Sequence, residues 1–310
     1  MKNYNADRGL SVTQRRGLVS TLIASFFLGW APILGKMAYQ EGVAPFALAA
    51  YRTLGAALAL WCVFAIFWRH EMRISWRGLG GCISIGAVNG FGSLLYYTSL
   101  QRLDASLASL LNTLYPLWVV LFLFAAGQPL TRLTMVRLGL SMIGVYLLTR
   151  TDGREPDWLG VMLMVASAAM YGWHLVLGQW VLADVPSRTG ALYILTAMAV
   201  VVMLAGLLKG GLAEPISIQG WGAILSLALT TLLSRLAMFS ALQRVGGIEA
   251  SLGGLLELLL SLLLAFLLLG ERLTWVQWAG GALLIFSMLL VSRDRGMQVA
   301  EGNEPLEWKR

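Results

Sequence analysis

Gly29-Trp30-Ala31-Pro32-Ile33-Leu34-Gly35 reads GWAPILG, and Gly172-Trp173-His174-Leu175-Val176-Leu177-Gly178 reads GWHLVLG. The copies start 172 − 29 = 143 residues apart, close to half of the 310-residue chain. Each sits in the first long apolar segment of its half. A short repeat can arise by chance in an apolar chain, so the duplication needs support from other positions. Leu100-Gln101-Arg102 returns as Leu242-Gln243-Arg244, Ala105-Ser106-Leu107 as Ala250-Ser251-Leu252, and Leu130-Thr131 as Leu273-Thr274, all in the same order. The chain is therefore read as internally duplicated, with a site expected near the join of its halves.

Composition sets the solvent. Hydrophobic residues make up 58% and charged residues 13%, and the mean hydropathy is +0.72. A soluble domain runs about 45–50% apolar and about 25% charged, so this chain belongs in a lipid bilayer. Apolar runs bounded by charge, Gly or Pro predict ten spans, at 17–38, 45–68, 78–100, 105–125, 132–149, 158–181, 190–208, 219–242, 248–269 and 274–292. Polar tails remain at 1–16 and 293–310, the second rich in Glu and expected to be disordered. Five spans per half is an odd number, so the second half enters the membrane from the opposite side. The expected fold is an all-α polytopic membrane protein: ten transmembrane helices as two inverted five-helix repeats, 17–149 and 158–292.

Lys and Arg set the orientation. With the N-terminus inside, the inside segments carry 15 of the 23 basic residues and the outside segments 6, while Arg52 and Arg235 fall within spans. Both termini are expected to be cytoplasmic. The net charge of +7 reflects this loop bias and does not imply a nucleic-acid partner. Cys62 and Cys82 lie inside apolar runs and read as packing residues. Arg15-Arg16 precedes a run too long for a signal-peptide core, so the first span is read as uncleaved and the Arg pair as a topology charge.

The repeated unit resembles a known family. Gly-Trp in the first helix, Tyr51-Arg52-Thr53 in the second, Ala105 to Leu111 before a helix containing Pro116, and Gly270-Glu271-Arg272-Leu273 before the last helix are similar to the EamA-type exporters of the drug/metabolite transporter superfamily. The resemblance covers about 17 to 292 and is similar within the superfamily to the aromatic amino-acid exporter group. Two departures stand out. Gly127-Gln128-Pro129 replaces the usual Gly-Glu, and Ser261 stands where the family often has Pro.

Ionisable groups inside a membrane are costly and mark function. Glu257 is the one acid deep in a span, and Arg52 and Arg235 are the bases. Glu257 takes the place of Asn112, at an offset of 145. It either faces the cavity, binding a proton or a substrate ammonium, or forms a fixed ion pair with Arg235. Arg52 lies about two turns into its span and either snorkels to the interface or touches substrate. His174 reads as a proton relay or as a neutral cavity-lining residue. Pro32 should break the first helix. Gly29, Gly35, Gly172 and Gly178, with Pro116, read as hinge or close-packing positions. Trp30, Trp173, Tyr171, Tyr96, Tyr97 and Tyr115 are aromatic residues deep in helices, suited to stacking on a planar or cationic solute. Asn89 and Ser93 are i, i+4, and Tyr96 continues their face, which is the predicted path wall from the third span. Asn112 adds a polar group.

Other chemistries find no support. Gly29 to Lys36 has the wrong spacing for a phosphate-binding loop and lacks a following Ser or Thr. With His70 and His174 as the two histidines, no metal site is expected. The deep segments carry no Asp for an aspartyl protease, and no cofactor is expected. The resemblance implies a secondary transporter exporting small metabolites through a central cavity: amino acids, aromatic or other neutral ones, and cationic drug-like compounds as a further class. An uncoupled facilitator of the same solutes is the alternative. The expected partners are a small-molecule substrate and the bilayer, and a monomer is the expected state.

Overall fold

The computed structural model describes residues 12–127, 132–149, 157–181, 185–210, 212–252 and 254–290. Most of the predicted tails lies outside these residues, as do Gln128, Pro129, Leu130 and Thr131. Among the described residues the α-helices are α1 (Val12–Gly29), α2 (Ala31–Gln40), α3 (Pro45–Phe67), α4 (Trp76–Arg102), α5 (Ala105–Asn112), α6 (Tyr115–Ala125), α7 (Arg132–Leu148), α8 (Trp158–Val181), α9 (Ser187–Lys209), α10 (Ile218–Leu252), α11 (Gly254–Leu264) and α12 (Trp275–Leu289). Among the described residues, seven helical segments are long and apolar enough to cross a membrane, and three shorter apolar helices lie at Met135–Leu148, Leu256–Leu269 and Trp275–Ser287.

Local chemistry explains the boundaries. Pro45 opens α3 after extended Ala44, where its missing N–H costs nothing. Ser75 accepts from the Gly78 N–H to cap α4. Gly210, in the left-handed region at φ 74°, closes α9. Before α12, Thr274 and Gln277 exchange bonds, with each backbone N–H donating to the other's side chain at 2.9 and 3.3 Å. This is a capping box.

Two predicted spans are each split. The first breaks at Trp30, with Pro32 at the start of α2. The Pro ring cannot donate to the preceding turn. The fourth breaks over Thr113 and Leu114, ahead of Pro116 in α6. In the second half, α8 runs unbroken through Gly172 and Gly178, so these glycines are not helix breaks. The predicted gap before span nine is also corrected. Helix α10 continues to Leu252, because no Pro intervenes between Gln243 and Leu252 to stop the ladder.

The helix contacts are nearly unchanged when the halves are exchanged. α1 packs on α10 as α8 packs on α4, α4 meets α9 as α10 meets α3, and α8 meets α6 as α1 meets α11. α3 packs on α9 and α7 on α12. Glycines permit the closest crossings. A Cβ on Gly86 would lie 2.5 Å from the Ile194 carbonyl oxygen. Large apolar side chains such as Leu208, Phe67 and Trp278 are exposed on the outside of the bundle, as expected of a protein solvated by lipid. Tyr115, Phe64 and Phe239 fill the interior.

Connections gather at two ends. At one, Ser217 donates to Glu41 at 2.6 Å, and Arg102 pairs with Asp157 at 2.9 Å. At the other, Arg188 pairs with Glu71 at 3.0 Å, and the Tyr193 hydroxyl donates to the Met72 carbonyl at 2.8 Å. Between them lies the polar interior.

Candidate functional site

Helix α4 builds the longest wall of a central cavity. Asn89, Ser93 and Tyr96 line it together, as their helical spacing predicts. Gly92 and Tyr97 complete that wall. Leu28 and Ala31 face it from either side of the break in the first span, and Asn112 from the last turn of α5. The second half contributes Ser167 and Tyr171 from α8, Arg235 from α10 and Glu257 from α11. Arg52 enters from α3. The cavity has a volume of about 80 Å³.

Two arginines dominate the electrostatics. Arg52 is 6% exposed and does not snorkel to the interface. Its Nη1 donates to Thr231 Oγ1 at 2.8 Å and its Nη2 to Ser93 Oγ at 2.6 Å. Its guanidinium lies 4.5 Å from the centre of the Tyr97 ring, a cation–π contact. The inward pull of these partners outweighs the reach to the membrane surface. Arg235 donates from Nη2 to Asn89 Oδ1 at 3.2 Å, and its Nη1 lies 3.5 Å from His174 Nε2. The result is a reciprocal lattice. Asn89 and Ser93 are one turn apart on α4, Thr231 and Arg235 one turn apart on α10, and Arg52 bridges the two helices.

Glu257 lines the same cavity, yet no ion pair with Arg235 exists among the described residues. Arg235 is instead held by Asn89 and His174. The helix crossings also revise the repeat register. A Cβ on Gly29 would lie 3.0 Å from Glu257 O, and one on Gly172 would lie 2.9 Å from Tyr115 O. The packing therefore makes Tyr115, not Asn112, the counterpart of Glu257 in the other half. The break after Asn112 consumes residues that α11 does not spend.

Four of the expected aromatic and His positions lie behind the wall rather than on it. Tyr115 is buried and meets Tyr171 edge-on at 5.0 Å. His174 is fully buried and stacks on Tyr171 at 5.6 Å. It therefore supports Arg235 and Tyr171 and does not line the cavity. Trp173 packs edge-on against Phe122 at 5.0 Å and Trp180 at 6.1 Å. Trp30 is half-buried against the core. In both copies the Gly of the Gly-Trp pair faces a neighbouring helix at close range, which rotates the Trp away from the cavity. Gly35 is likewise a packing position, since a Cβ there would lie 2.7 Å from Leu100 Cδ2.

The freed backbone at the first break has a partner. Ser261 Oγ donates to Gly29 O at 2.9 Å. Ser261 thus donates to a carbonyl in the last residue of α1, where the helix ends ahead of Pro32. Sequence reasoning missed Leu28, Ala31, Gly92, Ser167 and the Arg52 partner Thr231. The last two were reachable by the i, i+4 rule, being one turn before Tyr171 and Arg235. Among the described residues no cluster of His, Cys, Asp and Glu could hold a metal.

The profile described as "EamA-like transporter family" matches residues 15–150 and again residues 158–293. The chain is 25% identical over 281 residues to the "Uncharacterized transporter YcbK" of Bacillus subtilis (strain 168), covering 85% of this chain and 88% of that protein. It is 27% identical over 215 residues to "Protein PecM" of Dickeya dadantii (strain 3937), covering 68% and 72%. A solved structure described as "Crystal structure of protein" shares the fold, with a TM-score of 0.61 at 19% identity over 91% of this chain and 98% of that one.

Proposed function

Because this chain belongs to the EamA-like transporter family, the EamA-type exporters of the drug/metabolite transporter superfamily, we propose that it exports small metabolites, amino acids first among them, by alternating access. The observation that carries this reading is the cavity itself. Both halves supply its walls, and it holds buried charged side chains that a bilayer protein retains at a cost. The exchange of equivalent contacts between the halves supports an inverted pair of five-span repeats, ten spans in all, with the halves at 17–149 and 158–292. Rocking of one half against the other opens the cavity to each side in turn. Loop charge favours both termini in the cytoplasm.

Tyr96 and Tyr171 line the cavity with aromatic rings, while Arg52, Arg235, Asn89 and Glu257 offer polar contacts for the two ends of an amino acid. Purified protein reconstituted in vesicles loaded with an amino-acid mixture tests the reading. Selective efflux of some members supports it; no efflux above empty vesicles refutes it. Imposing a proton gradient separates coupled export from facilitated diffusion, since only the coupled carrier concentrates a solute.

A further inference from the structure

The cavity is rich in donors and short of acceptors. Arg52 and Arg235 come from opposite halves, and each is more than nine-tenths buried. Their terminal nitrogens meet neutral partners: two hydroxyls, an amide oxygen and an imidazole nitrogen. Neither has a carboxylate within 4 Å among the described residues. The Nε of each guanidinium and the Nδ2 of Asn89, itself 5% exposed, have no acceptor among the described residues. The hydroxyl of Tyr171 is also without a partner among the described residues. All four residues line one cavity, and among the described residues Glu257 is its one carboxylate.

A buried donor without an acceptor is costly, and more so on a charged group. Such a wall is complementary to an anionic oxygen and repels a cation. We infer that the cavity recognises its solute through a carboxylate held between Arg52 and Arg235, and that solutes carrying only an amine are rejected. A guanidinium fork matches the two oxygens of a carboxylate. The bound group then ties α3 to α10, one helix from each half. Glu257 faces the same space, so an ammonium on the solute finds a partner, but is not required. The inference rests on the transport reading only in taking the occupant to be a solute that is moved.

Three compounds with one ring test it: 3-phenylpropionate, phenylalanine and phenethylamine, carrying a carboxylate, both groups and an amine respectively. Binding is measured on the full chain in detergent, by the shift in unfolding temperature across a concentration series. Both carboxylates should stabilise the protein, and phenethylamine should not. Arg52→Gln and Arg235→Gln should each weaken 3-phenylpropionate binding about thirtyfold or more, with Arg235→Lys retaining part of it. Phenethylamine binding as tightly as 3-phenylpropionate overturns the inference. So does wild-type affinity in both Gln variants, or failure of both acids to bind. If the variants do not fold, the ranking on the unaltered chain decides alone. Flux in vesicles separates the two readings. Carboxylate binding without flux keeps the site and removes the transport reading. Flux of phenethylamine without flux of either acid does the reverse.

Discussion

Glu271 clamps the start of the helix that carries Ser106. The Ser106 N–H and Oγ–H donate to Glu271 Oε2 at 2.8 and 2.7 Å, and the Ala105 N–H donates to Oε1 at 2.8 Å. Asp104, the local N-cap residue, makes no side-chain cap bond. The first turn of α5 is thus satisfied by a carboxylate from the other half, placed where the helix dipole favours negative charge. Glu271→Ala should lower stability by about 2–4 kcal/mol, read as thermal unfolding in detergent. Glu271→Gln, keeping one acceptor oxygen, should lose less. Equal stability of all three proteins would contradict the clamp.

Helices α7 and α12 depend on two facing glycines. A Cβ on Gly144 would lie 3.0 Å from Gly280 O, and one on Gly280 would lie 2.8 Å from Gly144 O. Gly144→Val or Gly280→Val should destabilise the protein by roughly 1–3 kcal/mol through overpacking, and Gly139→Ala, with open space around its Cβ, should not. The same unfolding assay checks all three.

Tyr96 and Trp173 separate by mechanism. Tyr96 lines the cavity as well as meeting Tyr97 edge-on at 5.0 Å, so Tyr96→Ala should lower flux severalfold and change the ranking of solutes. Trp173 packs on Phe122 and Trp180. Trp173→Ala should cost about 3 kcal/mol of stability and leave the ranking of solutes unchanged. A changed ranking in Trp173→Ala would return that residue to the wall.

Ser261 supports the break at Trp30. Ser261→Ala leaves the Gly29 carbonyl without its hydroxyl donor and should cost about 1–3 kcal/mol. Pro32→Ala restores an N–H to the ladder. It should raise stability and slow transport if the break is a working hinge, and a variant with unchanged turnover would remove that role.

Asp157 supplies a pH signature at the end of the molecule. The Gly160 N–H, which donates to Oδ1 at 2.9 Å, and then Arg102 hold its carboxyl below the usual range. A carboxyl with a lowered folded-state pKa contributes stability that is fully present above its unfolded value of about 4. That contribution is lost as pH falls through the lower folded value. Asp157→Asn should flatten the fall in unfolding temperature below about pH 4, and an unaltered profile would exclude the linkage. The cap itself is worth about 1 kcal/mol.

The sequence by itself determined the solvent, the duplication and one wall of the cavity. Hydropathy requires lipid, the 143-residue offset reveals the two halves, and the 3.6-residue period puts Asn89, Ser93 and Tyr96 on one face whatever surrounds them. The break at Pro32 was also legible, because a missing N–H acts locally. Tertiary packing alone decided the rest. Arg52 meets Thr231, 179 residues away, and no local pattern encodes that meeting. Trp173 turns outward because Gly172 sits against Tyr115 and Trp118, which fixes the rotation of α8 about its axis. The periodicity of a helix says which residues share a face. Which face meets the cavity depends on how closely neighbouring helices approach, and that is set by side chains far apart in the chain.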